Sequence, residues 1–260
     1  HWEVSLAYDF QWNTLDATFY MPTEGDGTFP FPTRYTHMAA LATAFEWGRL
    51  KMQASVLGYF VHEKVERFEA RPDKAVATPA FFGSFKVLKN HDLSVRAFYK
   101  RMFRMPTFND LYYTDMGNAF LKPEYAEQFN VGLKYTRNFE KSPFMRMLDV
   151  SVDAYYNKIT DKIIAYPKGQ QFRWTMLNLG EVEIKGVDAV LNALFTLGKL
   201  EVTTKFQYTY QKAIDITDPA DTYYRDQIPY IPWHSGSAIL ALFYKGWGLN
   251  YSFIYTGQRY

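Results

Sequence analysis

Apolar side chains recur at every second position along much of this chain. Trp2, Val4, Leu6, Tyr8 and Phe10 alternate with Glu3, Ser5, Ala7 and Asp9, and Leu148, Val150, Val152, Ala154 and Tyr156 alternate with Asp149, Ser151, Asp153, Tyr155 and Asn157. The series Leu200 to Tyr208 and Trp247 to Tyr255 repeat the pattern, as do Phe129, Val131, Leu133 and Tyr135. A strand turns successive side chains to opposite faces, so this period predicts strands with one oily and one wet face, not helices. Met38 to Phe45 and Ser237 to Tyr244 are apolar on both faces and are also assigned as strands.

The connections alternate between tight and long. Tight turns are expected near Gln11 to Asn13, Trp47 to Gly48, Lys89 to His91, Asn138 to Pro143, Leu197 to Lys199 and Lys245 to Gly246. Long polar or Gly/Pro-rich loops are expected over Met21 to Arg34, Val61 to Ala77, Met102 to Pro123, Lys158 to Leu179 and Lys212 to Ile231. This gives six hairpins, about 12 strands, with every long loop on one side. The strand starting at Trp2 is then expected to run from the loop side toward the turn side. Two-faced strands with aromatic ends, short turns on one side and long loops on the other match an antiparallel transmembrane β-barrel. In hydrocarbon every backbone donor and acceptor must be paired, which a helix or a closed barrel achieves. The uncharged stretch Gln227 to Tyr244 is no spanning helix, because Pro229, Pro232, His234 and Gly236 interrupt it. The competing architecture is a soluble all-β domain whose apolar faces pack on each other.

Composition sharpens this picture. Aromatic residues make up 19% of the 260 residues while mean hydropathy is only −0.30, so much ring area sits in a chain that is polar on average. Such a chain is not disordered. Lys and Arg number 29 against 27 Asp and Glu, a balance that argues against a nucleic-acid binder working by phosphate neutralisation. Cysteine is absent, which removes disulfides, thiolate metal sites and cysteine nucleophiles. No signal-peptide pattern is read at His1 and Trp2, where a mature form or a fragment of a secreted protein would look the same.

A family resemblance rests on an ordered set of motifs. Phe103, Arg104, Met105, Pro106, Thr107, Leu111 and Tyr112, then Gly117, Asn118, Leu121, Lys122, Pro123, Glu124 and Gln128, resemble the FRxPTxxxLY and GNxxLKPExxxQ region of TonB-dependent outer-membrane receptors. Asp153 to Asn157 with Ile159 and Asp161 are similar to the family's YYNxIxD strand end. Asn178, Gly180, Gly186 and Val187 are similar to its NxG and GV turn into the next strand, and Tyr255 to Gly257 to its YTG. The resemblance implies a 22-stranded barrel with an N-terminal plug, placed in the outer membrane of a Gram-negative bacterium. It implies import of a scarce ligand too large for porins, with energy delivered through TonB. Residues 1–260 are then expected to be a middle-to-late part of the barrel, with short periplasmic turns, long extracellular loops, and the plug and last strands missing. Partners implied are outer-membrane lipid, the TonB complex through that missing N-terminal part, a surface lipoprotein, and a ferric siderophore or cobalamin. Haem is disfavoured because Arg104 to Leu121 holds no histidine.

Loop residues able to stack on or pair with an anionic chelate are Arg104, Tyr112, Tyr113, Arg173, Trp174, Tyr223, Tyr224 and Arg225. Each has an ordinary alternative in loop packing or surface charge. Pro106, Leu111, Asn118, Leu121, Pro123, Glu124, Asn178, Gly180 and Gly186 are expected to serve structure. No catalytic residue, metal site or cofactor is assigned. The five histidines form no two-His helical zinc motif, the loop acids fit no calcium-hand spacing, and Gly25, Gly27 and Gly169 lie between strands. One enzyme alternative is an outer-membrane phospholipase using His234 with Ser235 or Ser237; against it stand the absent nucleophile elbow and the expected direction of the first strand.

Overall fold

The computed structural model describes residues 1–17, 29–88, 92–113, 116–168, 173–228 and 231–258. It is one antiparallel sheet of 11 strands in sequence order: β1 (Trp2–Thr14), β2 (Thr33–Trp47), β3 (Leu50–Lys64), β4 (Lys74–Lys86), β5 (Asp92–Arg104), β6 (Glu124–Asn138), β7 (Met145–Lys168), β8 (Arg173–Leu197), β9 (Leu200–Asp215), β10 (His234–Tyr244) and β11 (Trp247–Thr256). One short helix, α1 (Phe108–Tyr112), interrupts the β5–β6 loop. The described turns at Gly48, Gly198 and Gly246 place glycine at φ 57°, 65° and 88°, the left-handed region that a two-residue hairpin requires.

Paired residues share a face, so the register tests the alternation directly. Leu6 faces Leu41, Leu41 faces Val56, and Val56 faces Pro79. Val95 faces Leu133, Leu133 faces Val152, Val152 faces Ala189, and Ala189 faces Tyr208. The oily sides of separate strands therefore join into one apolar face. That face is bare: Leu6 is 80% exposed, Val131 60% and Leu249 63%, with no second sheet packed on it among the described residues.

The opposite face is knit by charge and hydrogen bonds. Arg96 on β5 pairs with Asp153 on β7 across Gly132 on β6, where a Cβ would lie 2.8 Å from the Asp153 Cγ. Asp149 accepts from Thr136 at 2.7 Å and from Asn192 at 3.3 Å, and Thr209 donates to Asp188 at 2.7 Å. Pro79, with no N–H to donate, immediately precedes the first β4–β5 pair, Ala80 with Lys100.

Three sequence expectations are corrected. The tight turn at Gln11 to Asn13 does not exist: Trp12 continues the apolar row opposite Tyr35, and β1 runs unbroken to Thr14. Polar neighbours around Trp12 were a wet face, not a turn. Among the described residues the sheet thus has 11 strands rather than 12, and β1 runs toward the long-loop end, which removes the strand-direction objection to the phospholipase. Lys158 to Leu179 is mostly strand, since β7 and β8 extend to Lys168 and from Arg173, 24 and 25 residues long. Lys158, Thr160 and Lys162 alternate there with Ile159 and Ile163, which are buried. The β3–β4 connection is shorter than Val61 to Ala77, because the strands reach Lys64 and restart at Lys74. The expected turn Lys89 to His91 lies outside the described residues, as does Tyr20, one of the aromatic residues expected at strand ends. Of the other strand-end aromatics, Trp2, Trp47, Tyr99, Tyr156, Tyr210, Trp247 and Tyr255 share the apolar face; Tyr59 is on the polar one.

Candidate ligand-binding mouth

Beyond Thr160 and Val182 the β7–β8 hairpin outruns its neighbours, because β6 stops pairing at Tyr125 and β9 at Asp215. The polar face of this free ribbon would leave Ile163 and Met176 in water. The β5–β6 loop lies across it instead. Leu111, Leu121 and Ile163 form a buried cluster with Phe108, Tyr112 and Met176 around it. Thr107 caps α1: its hydroxyl accepts from the Asp110 N–H at 3.1 Å while the Asp110 carboxylate accepts from the Thr107 N–H at 2.9 Å. Gly117 has no room for a side chain, as a Cβ would lie 2.7 Å from the Leu111 carbonyl oxygen.

Two asparagines lash this loop to the ribbon. Asn118 Nδ2 donates to the Met176 carbonyl at 3.0 Å. Asn178 Oδ1 accepts from the Lys122 N–H at 2.8 Å, and its Nδ2 donates to the carbonyls of Lys122 at 3.1 Å and Asp161 at 2.7 Å. Asp161 sits at φ 54°, an uncommon backbone position for a residue with a Cβ, and its carbonyl is held by that amide. Glu124 Oε2 accepts from the Ile163 N–H at 3.0 Å.

The β9–β10 loop docks on the other side. Thr217 fills the space a side chain at Gly180 would need, and its hydroxyl accepts from the Glu181 N–H at 2.9 Å. Ile228 joins Ala126, Ile159, Val182, Ile184 and Ala213 in the larger buried cluster. Gly186 likewise makes way for the Tyr155 ring directly across the strand pair. Of the residues singled out from sequence, Asn118, Leu121, Glu124, Asn178 and Gly180 lie at contacts between loops and wall, and Gly186 lies at a contact between two strands. Pro106 is fully buried in the same loop, and Pro123 is half-buried.

A third anchor was not foreseen. Arg34 on β2 and Glu63 on β3 face each other in register, both under 9% exposed, with Arg34 Nε donating to Glu63 Oε1 at 2.7 Å. The Arg34 guanidinium also lies 4.8 Å from the Phe108 ring centroid, and Phe29 meets Tyr112 edge-on at 6.3 Å. Arg71, from the β3–β4 connection, donates to the carbonyls of Ala119, at 2.9 Å, and Leu121. Burial lowers the Arg71 pKa, and the nearby Glu63 carboxylate opposes that shift. In sequence these are three ordinary charges; only the register and main-chain acceptors give them a task.

The eight ligand candidates are spread over the β5–β6 connection with the strand end that leads into it, the start of β8, and the β9–β10 loop. Arg104 is engaged with Asp110 at 2.9 Å and Glu124 at 3.5 Å, and Tyr112 packs on Phe108. Tyr113 and Tyr223 are exposed. Arg225 lies 5.7 Å from the half-buried Tyr224 ring, and its N–H donates to the Asp215 carbonyl at 2.8 Å. Trp174 is half-buried on β8, and the side chain of Arg173 lies outside the described residues. His234 Nδ1 pairs with the Tyr208 hydroxyl at 2.7 Å, whereas Ser237 donates to Gln207 at 3.3 Å on the other face. That geometry joins the histidine to neither serine. Among the described residues no cluster of three or more His, Asp or Glu fit for a metal ion occurs.

A bare apolar face, a polar inner face and long loops folded onto that inner face define a membrane β-barrel wall. The family model for the β-barrel of TonB dependent receptor-like proteins matches residues 2–260, and the chain belongs to that family of outer-membrane proteins of Gram-negative bacteria. Among relatives, the vitamin B12 transporter BtuB of Vibrio vulnificus is 34% identical over 99 residues, 38% of this chain and 14% of that protein. BtuB of Photobacterium profundum is 30% identical over 165 residues, 61% of this chain and 24% of that protein. The chain therefore spans under a quarter of the length of either relative. Two solved structures share the fold: the copper transporter OprC, with TM-score 0.69 and 18% identity over 98% of this chain and 40% of that one, and an FrpB iron transporter from Neisseria meningitidis, with TM-score 0.66 and 13% identity over 97% and 40%. These relatives are transporters, not enzymes.

Proposed function

We propose that this chain is the wall and mouth of an active-transport receptor that imports cobalamin, with energy coupled through TonB. The observation that carries the transport reading is the contrast of faces: lipid covers the bare apolar side, while loops fold onto the polar side and form a mouth. The two BtuB relatives favour cobalamin over a ferric siderophore. In this reading the tight turns are periplasmic and the loops extracellular. Residues 1–260 form part of a larger barrel, and a plug elsewhere in the parent protein meets TonB. Tyr113, Tyr223, Tyr224 and Arg225 supply ring faces and a cation to the ligand at the mouth. A surface lipoprotein has the loop end as its docking side.

The test uses the full-length parent in cells lacking their own cobalamin receptor. Labelled cyanocobalamin should accumulate only when TonB is present. Accumulation of a ferric siderophore instead would replace the ligand, and accumulation without TonB would remove the energy coupling.

A further inference from the structure

Phe120 is 91% exposed, while its neighbour Leu121 is 1% exposed. The backbone that presents this ring is held on all sides. Its own N–H donates to Asn118 Oδ1 at 3.0 Å, and the Asn118 amide is itself fixed to β8. The carbonyls on either side, of Ala119 and Leu121, both accept from the guanidinium of the half-buried Arg71. One residue further on, Asn178 takes both main-chain groups of Lys122. Lys122 shares the open side of the loop, with its side chain 72% exposed and Nζ 3.9 Å from Asp161.

A large apolar side chain in water on a mobile loop would lose ordering entropy when it bound something. Here that cost is met within the fold, since the main chain from Asn118 to Lys122 is clamped before any ligand arrives. Partly desolvating the Arg71 guanidinium is unfavourable unless hydrogen bonds replace water, and its bonds are directed to the carbonyls flanking Phe120. We propose that Phe120 is a ligand-contacting and specificity-determining side chain, packing against the flat apolar face of an organic ring system, with Lys122 meeting a polar or anionic rim. Arg71 is its positioning residue. This inference rests on the mouth being the ligand-binding end, but not on which ligand enters it.

The experiment measures binding of three probes, cyanocobalamin, a ferric hydroxamate and a ferric catecholate siderophore, to the detergent-purified full-length receptor. For whichever probe the natural protein binds, Phe120→Ala should weaken affinity by about ten- to a hundredfold, the loss expected for one buried phenyl ring. Phe120→Trp should retain most of it. Arg71→Gln should weaken binding less while making the loop more open to protease, which a purely solvent-facing Phe120 would not link to affinity. Unchanged binding by Phe120→Ala, with unchanged thermal unfolding, would overturn the inference. Binding of a ferric probe alone would sink the cobalamin assignment and leave the Phe120 result to be read on that probe. Binding of none would overturn both.

Discussion

The lower and upper halves of the β7–β8 hairpin have the same backbone and different surroundings. From Leu148 to Tyr156 the hairpin is paired on both sides, with Val152 on the bare apolar face and Asp153 bonded to Arg96 on the other. From Ile163 upward it has no strand neighbours among the described residues, and its inner face is apolar because a loop covers it. The same alternation therefore separates lipid from lumen below, and solvent from packed loop above. A two-faced strand reports that its faces differ; what touches each face is decided by the neighbours.

Variants break this contrast in graded ways, each made in the full-length receptor. Val152→Arg puts a charge on the lipid side and should destabilise by about 2 to 4 kcal/mol if Val152 lies near the bilayer midplane. Asp153→Asn should cost less, because Arg96 keeps a hydrogen-bond acceptor. Equilibrium unfolding from lipid vesicles measures both, and a larger effect at Asp153 would invert the faces. Gly132→Ala drives a methyl group into the Arg96–Asp153 bridge and should cost about 1 to 3 kcal/mol by overpacking. In the upper half, Asn178→Ala removes two hydrogen bonds between loop and ribbon, both to Lys122, and one within the ribbon, to Asp161. It should loosen the 105–123 loop by about 1 to 3 kcal/mol, seen as faster protease cleavage there with unfolding of the wall unchanged. Thr107→Ala, which deletes only the cap of α1, should have the smallest effect, about 1 kcal/mol and confined to that loop.

The contrast also explains what was legible in the sequence. The wall was readable because there each strand meets two different surroundings, and faces deduced for Leu6, Val131, Val152, Phe206 and Leu249 agree with the register. Errors gathered where that rule lapses. Trp12 lies between polar neighbours at the rim, and the upper ribbon mixes Lys158, Thr160 and Lys162 with Pro167 in a way that resembles a loop. The family motifs pointed to Asn118, Asn178 and Gly180, yet their partners are backbone groups and a threonine far away in the chain. Arg34, Glu63 and Arg71 carried no local signal, because their roles depend on strand register and on carbonyls of Ala119 and Leu121 that every residue possesses.

Odd and even residues of one strand meet lumen and lipid in turn. Residues 1–260 contain no cysteine, so in a full receptor with any cysteine elsewhere replaced, single cysteines can be placed one at a time from Val150 to Tyr155, labelled with a fluorophore and reconstituted with brominated lipid. Strong quenching at Val150, Val152 and Ala154 with weak quenching at Ser151, Asp153 and Tyr155 is the expected result. Equal quenching along the series, or the opposite alternation, would contradict the account.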